Sequence, residues 1–202
     1  MTTPLVVGLI GPTDIEATGR HLEVPPEFLL EHAQKVGRAI AAVTRRYSIE
    51  LWFNSDRGML LEVARAFKEA IRGDTTRGKL VMIAPRNPYP WPADHAWDYI
   101  GEADEVEWVS DWFQANYQVV SRPRVCVVVG LSGGTGTEIG YAGWDARFGT
   151  GNLELLVVIR ELVRGGNLPP ELVERIPTSM LLYAGAEEVE RILLEFCARG
   201  SP

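Results

Sequence analysis

The chain of 202 residues has a net charge of −7, with 46% hydrophobic and 23% charged residues, the composition of an ordinary globular domain. The acidic balance argues against a nucleic-acid partner, because the phosphate backbone is bound by basic surfaces. No apolar run approaches the ~20 residues of a membrane span and no signal peptide is evident, so we expect one cytoplasmic domain, residues 1–202, without a membrane partner.

The first predicted strand is the apolar run Leu5–Ile10, and a turn of small and polar residues ends it. In that turn Gly11 allows a ligand to approach the backbone, and Thr13 offers a hydroxyl. The same residue types are common in plain turns. Two interpretations therefore stay open, a ligand-binding turn and a simple connection.

Residues 15–25 predict an irregular connection, and Pro25-Pro26 then begin a helix that runs to about residue 46. His32 lies in the apolar stripe of that helix, so we expect it to pack rather than to bind a metal. No metal site is predicted, because the three histidines are scattered along the chain: His21, His32 and His95.

A second strand, Ile49–Phe53, leads through polar residues into a helix predicted over 59–71. Ser55 or Asp56 can serve as the N-cap of this helix, which is a purely structural interpretation. The functional alternative places three residues on the rim of a ligand site: Asn54, Ser55 and Gly58.

Residues 85–98 follow a third strand, Lys79–Ala84, and contain four of the thirteen prolines. This proline density predicts an ordered loop or lid without regular structure. Trp91 and Trp97 in this loop, together with Trp112, predict aromatic surface that covers a pocket or a subunit contact. We therefore expect a homodimer.

The remaining elements continue the alternation of strands and helices. Further strands are predicted over 104–109, 125–129, 153–159 and 179–184, and further helices over 111–121, capped by Ser110, and 186–198. This order predicts an α/β, single-domain, Rossmann-like three-layer sandwich with a mostly parallel sheet of about six or seven strands. Cys126 and Cys197 are far apart in apolar segments and predict free buried thiols.

The strand Val125–Val129 runs into the most glycine-rich stretch of the chain. We predict that this stretch cradles a phosphate at the start of a helix capped by Thr137 and continuing over 141–147. The predicted phosphate-binding residues are Gly133, Gly134, Thr135, Gly136 and Thr137. A plain turn is the structural alternative. Because parallel strands end at one edge of a sheet, the turns at Gly11, Asn54 and Gly133 are expected to converge on one site.

The segment Ser132–Gly140 resembles the P-G-G-x-G-T-x-x-E signature of the LOG family, also called lysine-decarboxylase-like proteins, whose wider relatives include molybdenum-cofactor carrier proteins. Val7–Gly11 is similar to the opening strand and turn of that family. Ile49–Met59 is similar to its second strand and turn, with Asn54-Ser55-Asp56 where glycines are usual. The resemblance covers about two-thirds of the chain.

The resemblance implies a Rossmann-like homodimer that holds phosphate in its G-G-x-G-T loop. LOG enzymes cleave the N-glycosidic bond of cytokinin nucleoside 5'-monophosphates with a glutamate and an arginine. Here the glutamate position is Gly140, and the arginine position falls near Gln114-Ala115-Asn116. Glu138 comes two residues before Gly140, about 200° around a helix, so it is expected to point elsewhere.

Three functions remain open from the sequence. The favoured one is binding of a nucleotide or other phosphorylated small molecule without standard LOG catalysis. The second is a nucleoside 5'-monophosphate N-glycosidase (a phosphoribohydrolase) with a relocated carboxylate. Glu138 is the first candidate for this carboxylate, and the others are Asp14, Asp56 and Asp111. The third is an NADP-dependent reductase in which Gly134-x-Gly136-x-x-x-Gly140 and Arg160 bind the dinucleotide. The expected ligand is thus a nucleoside monophosphate or NADP.

Overall fold

A computed structural model describes residues 3–73 and 77–199, without the side chains of Asp94 and His95. The ends of the predicted domain 1–202 and the ring of His95 therefore lie outside the description. One sheet of seven strands has the order β4-β3-β2-β1-β5-β6-β7, and every neighbouring pair is parallel. The strands are β1 Leu5–Ile10, β2 Ile49–Asn54, β3 Gly78–Asn87, β4 Glu105–Asp111, β5 Val125–Val128, β6 Leu155–Ile159 and β7 Leu181–Ala184.

The helices lie on both faces of this sheet, which confirms the predicted three-layer α/β fold. They are α1 Ile15–Leu22, α2 Pro26–Val43, α3 Met59–Ala70, α4 Ala93–Trp97, α5 Trp112–Ser121, α6 Gly133–Phe148, α7 Pro170–Val173 and α8 Val189–Arg199. One buried cluster joins the sheet to α2, α3 and α8, and a second joins it to α5 and α6. The alternation of side chains along β1 feeds both clusters, since Leu9 belongs to the first and Ile10 to the second.

The strand order reverses direction between β1 and β5. From β1 the chain proceeds to β2 on one side, whereas from β5 it proceeds to β6 on the other. The register pairs Ile10 with Val128 and Leu9 with Phe53. The turns after β1, β2 and β5 therefore lie at one edge, as expected, and the crevice at such a reversal is where open α/β sheets bind ligands.

Residues 15–25, predicted as irregular, contain the helix α1. The Asp14 carboxylate accepts a hydrogen bond from Ala17 N at 2.8 Å and caps its start. Glu23 closes its end in the left-handed conformation, with φ of 60°. The prediction was wrong because this helix has only eight residues and is stabilised by its caps and its packing rather than by a long apolar period.

The proline-rich segment 85–98 also contains regular structure, which corrects the prediction of a loop. Strand β3 continues to Asn87, and α4 occupies Ala93–Trp97. Pro85 is tolerated because it lies beyond the last pair between β2 and β3, Asn54 with Ile83, so that β4 is its only neighbour. A proline at such a position removes no essential ladder hydrogen bond.

Two helices have an N-cap residue that differs from the predicted one. Helix α3 begins after Gly58 with no side-chain cap, so neither Ser55 nor Asp56 caps it. Helix α5 is capped by Asp111, which accepts a hydrogen bond from Gln114 N at 2.9 Å, and not by Ser110. The turn before α3 extends to Gly58, and strand β4 before α5 extends to Asp111, so each passes beyond the residue predicted as the cap.

The predicted aromatic surface is only partly present. Trp112 is 8% exposed, and its Nε1 donates to Pro88 O at 2.9 Å, so it belongs to the core. Trp97 Nε1 donates to Pro85 O at 3.0 Å. Tyr89 and Trp91 remain exposed. The buried His32 stacks on Phe28, as predicted for a packed histidine.

Three further expectations concern membranes, metals and thiols. Within residues 3–73 and 77–199, no helix has the length and apolarity that crossing a bilayer requires. The same ranges contain no cluster of three His, Cys, Asp or Glu side chains arranged to hold a metal. Both cysteines are free thiols, Cys126 buried and Cys197 partly exposed.

Candidate functional site

The turn between β5 and α6 lies against the turn between β1 and α1. Gly130 has φ of 123°, and a Cβ there would lie 2.8 Å from the Cδ of Pro12. Both the backbone conformation and the close approach therefore require glycine at this position. The contact brings the first turn of α6 to the crevice between β1 and β5.

Helix α6 begins at Gly133, four residues before the predicted cap Thr137. Its N-cap is Ser132, whose Oγ accepts a hydrogen bond from Thr135 N at 3.2 Å. Thr137 is not the cap: it lies in the second turn, and its hydroxyl donates to Gly133 O at 3.1 Å. Glycine has poor helix propensity, so the Gly-Gly pair concealed the start of the helix.

The first turn of α6 is open to solvent at Gly133 and Gly134. A Cβ at Gly133 would meet nothing within 4 Å, and one at Gly134 would meet only Ser132 Oγ at 3.8 Å. The N–H groups of both residues lack an acceptor in the part of the chain that the structure describes. Two free donors at the positive end of a helix favour an anion.

The other three residues of the predicted phosphate loop have different surroundings. Thr135 is 1% exposed, and its hydroxyl lies 3.0 Å from Ser132 Oγ within the cap. Gly136 N donates to Ser132 O at 2.9 Å. Thr137 is exposed on the helix surface. The structure thus brings Gly133, Gly134 and Thr137 to the surface and uses Thr135 and Gly136 to build the first turn.

The turn after β1 contributes packing and a negative charge. Gly11 is buried, and a Cβ there would lie 2.7 Å from Val129 Cγ2, so it allows β1 and β5 to approach. Thr13 is half-buried at the same edge. The N-terminus of α1 is already occupied by the Asp14 carboxylate. An anion is therefore favoured at α6 rather than at α1.

The turn after β2 is closed by the turn after β1. Gly58 has φ of 88°, and a Cβ there would lie 2.5 Å from both Cα and O of Thr13. Met59 N donates to Pro12 O at 3.1 Å, which occupies a donor at the start of α3. Asn54 and Ser55 are 3% and 0% exposed, so they lie beneath the surface and not on an exposed rim.

Glu138 belongs to a buried polar cluster between the sheet and the helices α5 and α6. Its Oε1 accepts a hydrogen bond from Asn54 Nδ2 at 2.9 Å, and the same Nδ2 lies 2.9 Å from Asn116 Oδ1. Burial raises the pKa of Glu138 well above its ordinary value, and the charge of Asp56 raises it further, whereas the hydrogen bond from Asn54 lowers it. The cluster favours a protonated carboxyl.

The position of Glu138 separates it from the open surface of α6. Glu138 is 5% exposed, whereas Gly140 lines a surface groove and has nothing within 4 Å of a hypothetical Cβ. The other candidate carboxylates are also engaged. Asp14 and Asp111 cap helices, and Asp56 Oδ1 accepts from Arg57 N at 2.8 Å.

Sequence reasoning missed Asn116 and Ser132. Asn116 is 62 residues from its partner Asn54, so only the packing of α5 on the sheet reveals the pair. Ser132 had a local signal, because serine is a preferred N-cap residue, whose hydroxyl accepts a hydrogen bond from the backbone N–H two or three residues later. That signal was overlooked because two glycines follow it.

One cavity lies along α6, and a second lies near the turn that precedes it. One of about 620 Å³ lies between α5 and α6 and is lined by Tyr117, Thr137, Gly140, Tyr141, Trp144, Asp145, Phe148 and Thr150. The other, of about 400 Å³, lies on the β6 side and is lined by Thr18, His21, Leu22, Leu131, Leu162, Val163, Arg164, Asn167, Leu168, Pro169 and Pro170. The first cavity follows α6 from Thr137 onward, whereas the second contacts the turn before α6 at Leu131.

The geometry does not match the dinucleotide fingerprint. In that fingerprint the first glycine forms the tight turn before the helix. Here Gly134, Gly136 and Gly140 all lie within α6, and the turn is formed by Gly130. Arg160, the other residue predicted to bind the dinucleotide, is exposed in the segment directly after β6. The arrangement therefore argues against the NADP-dependent reductase.

Among the solved structures that share this fold, two are described as proteins of the molybdenum cofactor. One, described as the molybdenum cofactor carrier protein MCP from Chlamydomonas reinhardtii, has a TM-score of 0.65 and 16% identity, over 97% of this chain and 99% of its own. The other, described as the molybdenum cofactor binding protein from the phototrophic bacterium Rippkaea orientalis, also has a TM-score of 0.65 and 16% identity, over 98% and 99%. At this identity the likeness shows the fold alone.

Comparison at the level of sequence adds no relative. No protein-family model matches the chain, and no curated protein matches it. The resemblance to the LOG signature consequently depends on the residues of α6 and the turns themselves.

Proposed function

We propose that this protein binds a phosphorylated small molecule, with the phosphate on the N–H groups of Gly133 and Gly134. The observation that carries the proposal is the open first turn of α6, which presents two free donors and no side chain at the reversal of strand order. Thr137, one turn later on the surface, is the third residue available to the ligand.

The two structural neighbours support a ligand of this class. Their descriptions name the molybdenum cofactor as what they carry or bind, and that cofactor is a phosphorylated small molecule. For this chain we propose the shared chemistry, a phosphate joined to an organic body. Nucleoside 5'-monophosphates and the molybdenum cofactor are its candidate ligands.

We further propose that the ligand is bound without the hydrolysis of LOG enzymes. Gly140 offers no carboxylate to the groove, and the helix that would supply an arginine has the buried Ala115 and the hydrogen-bonded Asn116 instead. Glu138 is turned inward to Asn54. A glycosidase with Glu138 as its carboxylate would need this residue to leave a buried cluster.

Calorimetric titration with a panel of nucleoside 5'-monophosphates tests the proposal. Gly134→Val places a side chain where the phosphate would lie and fits the space available, so we expect loss of binding in a folded protein. Gly101→Val is the matched control, since a Cβ there also meets nothing within 4 Å and the residue precedes β4, at the opposite edge. Equal affinity in both variants would refute the assignment.

A homodimer in the cytoplasm remains part of the proposal. Tyr89 and Trp91 are the exposed aromatic residues of the segment between β3 and α4, and a subunit contact would cover them. Analytical ultracentrifugation at micromolar concentration tests this, and a monomeric protein would contradict it.

A further inference from the structure

One face of α6 connects the open first turn to a group of exposed aromatic side chains. Five residues of α6 are spaced by four, three, four and four positions, so they lie along one stripe of the helix. They are Gly133, Thr137, Gly140, Trp144 and Phe148. The first three are small and the last two are large and aromatic. The cavity of about 620 Å³ between α5 and α6 runs beside this stripe.

We propose that this aromatic groove, the cavity lined by Tyr117, Tyr141, Trp144 and Phe148, binds a planar heteroaromatic ring of the phosphorylated ligand by stacking. The inference depends on the proposed function, because the phosphate at Gly133 and Gly134 is what directs the ring into the groove. It adds the place of the ring of that ligand: the groove between α5 and α6.

Two aromatic side chains of the groove, Trp144 and Phe148, are too exposed for a role in the core. Trp144 is 56% exposed and Phe148 is 60% exposed, whereas Trp112 at the start of α5 is 8% exposed. The rings of Trp144 and Phe148 lie 5.4 Å apart and are tilted by 46°. Exposed aromatic faces beside a cavity are the surfaces on which bases stack in many proteins.

The wall of the groove on α5 is held by hydrogen bonds. Tyr117 OH donates to Asp145 Oδ1 at 3.2 Å, and Thr150 Oγ1 donates to the same oxygen at 2.6 Å. Asp145 is buried, so it anchors the tyrosine from below. The ring of Tyr117 also meets Tyr141 edge-on at 5.7 Å. A wall fixed before the ligand arrives loses little conformational entropy on binding.

The distances along α6 suit a nucleotide-sized ligand. Seven residues separate Gly133 from Gly140, a rise of about 10 Å. Side chains on a helix lean toward its N-terminus, so the Trp144 ring covers the turn that contains Gly140. Gly140 has no side chain to fill that turn. A sugar or similar linker can therefore pass over Thr137 and Gly140 to place its ring against Trp144.

The test compares a ligand with a ring and one without. Adenosine 5'-monophosphate and ribose 5-phosphate are titrated into the full chain and into Trp144→Ala. We expect the affinity for adenosine 5'-monophosphate to fall about tenfold, within the range for loss of one stacking partner, and the affinity for ribose 5-phosphate to stay unchanged. Trp91→Ala is the matched control, because Trp91 is 55% exposed and lies outside the groove. It should change neither affinity.

The outcomes distinguish the inference from the proposed function. If Gly134→Val weakens both ligands and Trp144→Ala weakens neither, the phosphate site stands and the ring site is wrong. If Gly134→Val changes neither ligand, the proposed function itself fails. An aromatic groove can also bind a second copy of this chain, and sedimentation of Trp144→Ala tests this alternative. If the substitution dissociates a dimer but leaves the affinity for adenosine 5'-monophosphate unchanged, the groove is a subunit contact and the ring site is wrong.

Discussion

The turns after β2 and β5 both lead from a buried strand to a helix, yet the glycines at the two helix starts, Gly58 before α3 and Gly134 in the first turn of α6, differ in what occupies the space next to them. At Gly58 the backbone of Thr13 lies 2.5 Å from the position of a Cβ, whereas at Gly134 the nearest atom is 3.8 Å away. The first glycine joins two turns of the protein, and the second leaves room for another molecule. The presence of glycine is thus less informative than its surroundings.

The largest expected effect follows directly from that difference. Gly58→Ala should lower the free energy of unfolding by about 2–5 kcal/mol, because it combines a backbone conformation restricted to glycine with a collision against Thr13. Gly134→Ala should leave stability unchanged or raise it by up to about 1 kcal/mol, since alanine favours the helix. Urea denaturation of both variants measures the contrast. Equal destabilisation by the two substitutions would mean that the space next to Gly134 is as closed as the space next to Gly58.

The sequence predicted the order of elements better than their ends. The buried strands β1 and β5 have continuous apolar runs, and the run in β2 is interrupted only by Glu50, so all three were correctly located. The start of α6 was missed because Gly133 and Gly134 are poor helix formers, and Ser132 overrides that preference through its cap. The short helix α1 was missed for lack of a long apolar period.

The surroundings of the candidate residues depend on the fold and could not be predicted locally. Asn54 and Glu138 are 84 residues apart in the chain, and only the packing of α6 on β2 joins them. Trp112 and Trp144 both lie on helices, yet one is buried and the other exposed. The prediction that Glu138 faces away from Gly140 was possible, because it depends only on the angle between neighbouring helical residues.

Hydrolysis gives the next largest expected effect. We expect the protein to release base from nucleoside 5'-monophosphates at least about a hundredfold more slowly than a standard LOG enzyme, because a general acid or base typically contributes ~10²–10⁴-fold in rate. Any residual rate should be the same in Glu138→Gln, since Glu138 is buried against Asn54. Chromatography of released base measures both rates. Rapid turnover that disappears in Glu138→Gln would establish Glu138 as a relocated catalytic carboxylate.

A smaller effect concerns the pH dependence of stability. The pKa of Glu138 is raised above its ordinary value of 4.5 in the folded protein, so the folded state binds this proton more tightly than the unfolded chain. Its contribution to stability is therefore present below about pH 4.5 and is lost as the pH rises toward the folded pKa.

Glu138→Gln should remove this loss and keep an acceptor for Asn54 Nδ2. We expect the variant to gain stability relative to the parent as the pH rises above 4.5. Urea denaturation at several pH values measures the difference in unfolding free energy between the parent and the variant. Groups that titrate in the same way in both proteins do not contribute to this difference. Parallel stability curves would show that Glu138 does not titrate differently in the two states.

The most direct test observes the two open amides themselves. In the ¹⁵N–¹H correlation spectrum of the full chain, addition of adenosine 5'-monophosphate should shift the backbone N–H signals of Gly133 and Gly134 most strongly, because these are the free donors of α6. The N–H signal of Met59, which already donates to Pro12 O, should barely move. Binding that leaves Gly133 and Gly134 unshifted, with changes confined to the cavity beside Leu162 and Arg164, would contradict a phosphate site on α6.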